Sequence, residues 1–172
     1  KNYHGPHLEA VGAIHSSSEH LLQIVNEVHD YSRISSGSFT LVKERFKLFS
    51  LMKEVESAMR IQSEKKRLTL LLGLEKASEF ELVGDAFRLR QILYNLVGNA
   101  IKFTSKGYVK VTLKTNEDEK GVNCTFEIMD TGIGIREDHL KKIFNQYEQA
   151  SSFIARNFGG TGLGLTIAKS LV

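Results

Sequence analysis

In the first 38 residues the apolar side chains recur every seven positions, at Ile14, Leu21 and Val28, with Ile24 and Tyr31 filling the alternate seam positions. That spacing keeps one stripe facing a partner, so it predicts a helix of a bundle or coiled coil. Ser16 to Ser18 offer N-cap chemistry for a late helix start, and Ser35-Ser36-Gly37 is a stop signal. From about residue 40 the period changes. Residues 48–64 carry Leu48, Met52, Val55 and Met59 at helical spacing. Leu68 to Leu72 and Phe80 to Val83 are short apolar runs that predict buried strands.

The strongest helical pattern runs over 85–103, where Leu89, Ile92, Leu93, Leu96, Val97 and Ala100 form one face. Val109, Val111 and Leu113 then alternate, as do Val122, Cys124, Phe126 and Ile128, with 116–121 as the hairpin loop between them. Helices from 138 and from 163 follow, separated by a polar loop at 151–160. Strands and helices without regular alternation predict an α+β fold, a two-layer sandwich with helices over one sheet face, preceded by a bundle-type helix. The expected division is 1–38 for that helix and 39–172 for the sandwich.

Composition narrows the function classes. The 172 residues carry a net charge of +3 with both signs interspersed, and no Lys/Arg run is interleaved with aromatics, which argues against nucleic acid as a partner. The one basic triplet, Lys65-Lys66-Arg67, reads as a solvated helix end. Cys124 is the only cysteine, which excludes an intrachain disulfide and a cysteine metal cluster. No apolar run approaches the ~20 residues that span a bilayer, and no signal peptide opens the chain. The expectation is a cytoplasmic segment without membrane contact, whose full-length protein can still carry an anchor elsewhere.

Three features carry chemistry. At 100° per residue Asn95, Asn99 and Lys102 share a narrow stripe beside the apolar face of their helix. A carboxamide oxygen there can complete the shell of a magnesium ion that keeps waters and takes its other ligands from phosphates, and an ammonium can compensate phosphate charge. Next, Asp130-Thr131-Gly132-Ile133-Gly134-Ile135 follows a strand, and Asp130 continues its alternation onto the buried face. A carboxylate there can accept from an exocyclic amine such as adenine's, while glycines let the backbone approach a ligand closely. Last, Gly159-Gly160-Thr161-Gly162-Leu163-Gly164-Leu165 leads into a helix, so its N–H groups and the helix N-terminus suit an anion. It lacks the Gly-Lys-Ser/Thr ending of a Walker A loop. Together they outline a nucleotide site.

These segments resemble, in order, the motifs of sensor histidine kinases of the hybrid type. LRQILYNLVGNAIKFT is similar to their N box, DTGIGI to the first glycine box, IFNQYEQ to the F box and GGTGLGL to the second glycine box. SSSEHLLQIVNEVHDYSRISSG resembles the second helix of their dimerisation and phosphotransfer hairpin. The resemblance implies a Bergerat-type ATP-binding catalytic domain with ATP and Mg²⁺ as cofactors. Asn99 would be the metal ligand, Asn95 its partner near the phosphates, and Lys102 a phosphate contact. Phe103 would lie against adenine and Asp130 would accept from its amine, with Gly132, Gly134 and Ile135 shaping that pocket. Gly160, Thr161, Gly162, Leu163 and Gly164 would line the triphosphate under a lid over 148–160 that contains Arg156, with Phe144 as its anchor.

The implied reaction is transfer of the ATP γ-phosphoryl group to a histidine and onward to an aspartate of a response-regulator receiver domain. The implied partners are the histidine-bearing hairpin helix of the same kinase, that receiver, and a second copy in a full-length homodimer. Hydrolysing relatives of the fold carry a glutamate where Asn95 stands; a neutral carboxamide cannot take a proton from water, which favours transfer. No histidine here sits in the phosphoacceptor pattern, so this segment alone is expected not to autophosphorylate. Relatives continue beyond the second glycine box with strands that complete the sheet, so the domain is expected to be C-terminally incomplete. The residues alone leave open a hydrolysing ATPase of the same fold and a non-catalytic nucleotide-binding or scaffold module.

Overall fold

The first described element is a helix: α1 spans Pro6–Ser35, with proline in its first turn, where a missing N–H costs nothing. It begins well before Ser16; Ser18 Oγ instead donates to the Ile14 carbonyl at 2.9 Å, inside the helix. The stop falls where the serines and glycine predict it. Gly37 takes φ +67° and the Ser38 amide donates back to Arg33 at 3.1 Å. The computed structural model describes residues 6–74, 80–119, 121–145 and 161–172. Two compact units result, 1–39 and 40–172.

Within the second unit, β1 (Glu44–Lys47) pairs antiparallel with β3 (Glu81–Gly84). A second ladder has the order β2 (Thr69–Gly73), β4 (Tyr108–Asp118), β5 (Gly121–Asp130), the first pair parallel and the second antiparallel. The expected single sheet is therefore two ladders among the described residues. The hairpin is tighter than expected: β4 runs to Asp118 and β5 restarts at Gly121, whose φ of +135° only glycine adopts readily. Strand β1 is absent from the sequence expectation, since Glu-Arg-Phe-Lys carries a single apolar residue.

Two helices cover the three-stranded ladder. From α2 (Leu48–Lys65) come Leu48, Leu51, Met52, Val55 and Met59; from α3 (Ala86–Phe103) come Leu93, Val97, Ala100 and Ile101. They close over Val109, Val111 and Leu113, with Cys124, Phe126 and Ile128 packed at the margin of this core. Helix α3 is capped by Asp85: Oδ1 accepts from the Arg88 amide at 3.0 Å and Oδ2 from the Val42 amide at 2.9 Å. A four-residue α4 (Glu137–Leu140) and α5 (Gly164–Leu171) complete the described elements, and α5 packs on α3.

The end of α2 is a Schellman motif, with Leu68 N–H on the Ser63 carbonyl and Arg67 N–H on that of Glu64, both at 2.9 Å. The residue forced into the left-handed region is Arg67, at φ +57°. A side chain there costs about 1–2 kcal/mol, partly offset by the entropy glycine loses on folding. Arg67→Gly is therefore expected to stabilise the chain by about 0.5–1 kcal/mol in urea unfolding; a loss of stability would mean the Arg67 side chain makes a compensating contact.

Candidate nucleotide site

The site is built around α3, because its amphipathic face fixes which residues point away from the sheet. Asn95, Asn99 and Lys102 are all half-buried, beside the buried stripe as their spacing predicts. Asn95 is held: its Nδ2 donates to the Gly164 carbonyl at 3.3 Å, and a Cβ on Gly164 would sit 2.8 Å from Asn95 Oδ1. Only a glycine lets α5 begin this close to α3. The Asn99 carboxamide makes no hydrogen bond with another described residue. The Lys102 ammonium lies 5.2 Å from the Phe103 ring centroid. Burial, and secondarily the nearby Lys66 charge, hold it below the ordinary lysine pKa of 10.5.

The 130–135 turn is stitched to the C-terminus of α3. Gly132 approaches so closely that a Cβ would lie 2.5 Å from the Phe103 carbonyl oxygen, and the Ile133 amide donates to that oxygen at 3.3 Å. Asp130 Oδ1 accepts from the Gly132 amide at 2.8 Å, while Oδ2 has no partner among the described residues. Asp130 keeps the core-side face of β5 that its alternation predicts, opposite Val109 in the ladder, but it is not buried there. It is exposed, because β5 runs out past the cover of the helices. Gly134 takes φ +67° with open space where a side chain would be, and Ile135 is exposed.

Two contacts outside the sequence expectation hold this turn and the helix end on which it docks. Thr131 Oγ1 accepts from the Tyr108 amide at 3.0 Å and reaches the Lys106 carbonyl at 3.2 Å. Gly107, at φ +106°, leaves no room for a Cβ against that hydroxyl. The other is made by Lys66: its Nζ donates to the Ile101 and Lys102 carbonyls at 2.9 and 2.6 Å, so the triplet is not merely a solvated helix end. Both contacts join segments distant in sequence, and nothing local announces them.

The second glycine segment arrives at the same helix. Gly162 takes φ +73°, the Leu163 amide donates to Thr161 Oγ1 at 3.2 Å, and Leu163 is buried to 1% exposure. The first turn of α5 carries no side-chain cap, which leaves its N–H groups to an anion. Phe144 is tied to this helix: its carbonyl accepts from Thr166 Oγ1 at 3.0 Å and Lys169 Nζ sits 5.4 Å from its ring centroid. Arg156, Gly160 and the expected lid at 148–160 lie outside the described residues.

A glycine-built turn and a glycine-rich helix start, both docked on one asparagine-bearing helix, define a nucleotide-binding ATPase domain. Residues 84–172 match the model of the histidine kinase-, DNA gyrase B- and HSP90-like ATPases, and the chain belongs to that family. Within it, the chain is homologous to the catalytic ATP-binding modules of sensor histidine kinases. It is 40% identical over 164 residues to the autoinducer 2 sensor kinase/phosphatase LuxQ of Vibrio cholerae, covering 95% of the chain and 19% of that protein. Identity to the sensor histidine kinase GacS of Pseudomonas protegens is 37% over 166 residues, 96% of the chain and 18% of the relative. The chain thus spans less than a fifth of these curated relatives. The crystal structure of full-length ShkA in complex with AMPPNP aligns at a TM-score of 0.76 and 28% identity, over 99% of this chain and 34% of that one. Among the described residues no helix is long and apolar enough to cross a membrane.

Proposed function

We propose that this chain binds Mg·ATP between α3, the 130–135 turn and the start of α5, and presents the γ-phosphoryl group to a histidine on a separate hairpin helix, for relay to a receiver aspartate. The observation that carries the reading is Asp130: an exposed carboxylate with one oxygen held by the Gly132 amide, at a turn bonded to the end of the Asn95–Asn99–Lys102 helix. The likeness to a kinase crystallised with AMPPNP supports the ligand class.

The residues fit the ligand. Among the described residues no group of three or more His, Cys, Asp or Glu could hold a metal. The Asn99 carboxamide would hold a magnesium ion whose other ligands would come from phosphate and water, its usual arrangement with nucleotides. When bound, Mg·ATP supplies the electrophilic phosphorus and most of the charge neutralisation. Asp130 orients adenine through its amine, with Gly132, Gly134 and Ile135 shaping that end and Phe103 lying against the base. Lys102 balances phosphate charge, and the segment Thr161, Gly162, Leu163 and Gly164 with the first turn of α5, which has no side-chain cap, receives the phosphates, with Gly160 and Arg156 assigned to the same end. Phe144, bonded to α5, anchors the segment between them. Asn95 cannot act as a general base, so water is not activated and transfer is favoured. Within 1–38, α1 supplies part of the second helix of the hairpin, through which full-length copies dimerise.

Calorimetric titration with Mg·ATP tests this. One saturable site is expected. Asp130→Asn, which turns an acceptor oxygen into a donor facing the adenine amine, is expected to weaken it by about tenfold or more. Asn99→Ala is expected to remove the magnesium-dependent part of the affinity and spare the rest. A folded chain that takes up no nucleotide would overturn the reading.

A further inference from the structure

A helix leaves its last four carbonyls without intrahelical partners. In α3 these belong to Ala100, Ile101, Lys102 and Phe103, and each has a partner. Ala100 accepts from the Thr104 amide at 3.1 Å and from Thr104 Oγ1 at 2.7 Å. Phe103 accepts from the Ile133 amide of the glycine turn. The two between them, Ile101 and Lys102, are both held by one side chain, the Lys66 ammonium, at 2.9 and 2.6 Å. Lys66 is itself placed by the Schellman end of α2, where the left-handed Arg67 turns the chain towards β2.

We propose that Lys66 is a positioning residue of the nucleotide site. It fixes the backbone of Ile101 and Lys102, and so both the root of the phosphate-facing Lys102 side chain and the Phe103 carbonyl on which the 130–135 turn hangs. A cation at a helix C-terminus suits the dipole there, and Lys66 lies outside every nucleotide motif. Without it the last turn of α3 loses the bonds to two adjacent carbonyls, the Ile133–Phe103 bond next in line loosens, and the phosphate and adenine ends of the site drift together. This rests on the Mg·ATP reading above.

The test uses the whole chain and Mg·ATP calorimetry. Lys66→Gln is expected to bind about two- to fivefold more weakly, the range for a cation lost from a helix C-terminus. Lys66→Arg, which still donates with a positive charge, is expected to restore most of that loss. Lys65→Gln, the same charge removed one position earlier, should bind as the unaltered chain does. Hydrogen exchange at the Ile133 amide should quicken in Lys66→Gln alone, which a general loss of charge would not produce. Equal affinities for Lys66→Gln and Lys65→Gln, or no recovery with Lys66→Arg, overturn the proposal while Mg·ATP binding stands. No binding by the unaltered chain overturns both.

Discussion

Alanine at position 132 is expected to cost about 2–4 kcal/mol of stability, from overpacking and a lost hydrogen bond, and to weaken Mg·ATP binding by tenfold or more. The added Cβ would sit 2.5 Å from the Phe103 carbonyl oxygen, 2.9 Å from its carbon and 2.8 Å from Asp130 Oδ1. Two of those atoms are backbone at the end of α3, so relief requires the turn to lift off the helix. Lifting it breaks the Ile133–Phe103 bond and swings Asp130 away from the amide that orients it. Gly134→Ala separates conformation from contact: at φ +67° with nothing within 4 Å, it should show only the roughly 1–2 kcal/mol of left-handed strain. Urea unfolding of both variants, with calorimetry on the folded fraction, checks this. Equal losses would mean that the approach of Gly132 to Phe103 is not what holds the site.

How much of this was legible beforehand depends on whether the determinant was local. Helix α3 was readable because its 3.6-residue apolar stripe lies in one stretch of chain. The β4–β5 hairpin was readable from alternation, though its loop proved shorter, since strand pairing carries the polar residues 116–118 along with it. Strand β1 was not, because Glu-Arg-Phe-Lys acquires its conformation from the ladder to β3. At the site, spacing placed Asn95, Asn99 and Lys102 on one edge of α3. Periodicity also gave Asp130 its face of the strand, but not where the covering helices end, so its exposure was missed. Lys66 was beyond reach for a related reason: its acceptors lie 35 and 36 residues away, and no pattern links a lysine to backbone carbonyls.

The same distinction bears on the other end of the nucleotide site, where a buried leucine does what hydrogen bonds do at Gly132. Leu163→Ala is expected to destabilise the chain by about 2–5 kcal/mol, the range for a buried leucine truncated without collapse around it, because Leu163 is 1% exposed and introduces the helix that packs on α3. Its backbone is also committed, the amide to Thr161 Oγ1 and the carbonyl to the Ile167 amide at 2.8 Å. Once the side chain no longer anchors the first turn, the Asn95–Gly164 contact opens and the uncapped amides of α5 lose their aim. Phe144, bonded to Thr166, moves with the helix. Affinity for Mg·ATP should therefore fall by tenfold or more even at temperatures where the variant stays folded. Leu165→Ala provides the comparison, since Leu165 is only half-buried in the same helix and should cost about half as much stability. If Leu163→Ala proved unstable yet bound Mg·ATP normally when folded, the start of α5 would be a structural element and the phosphates would have to be held elsewhere.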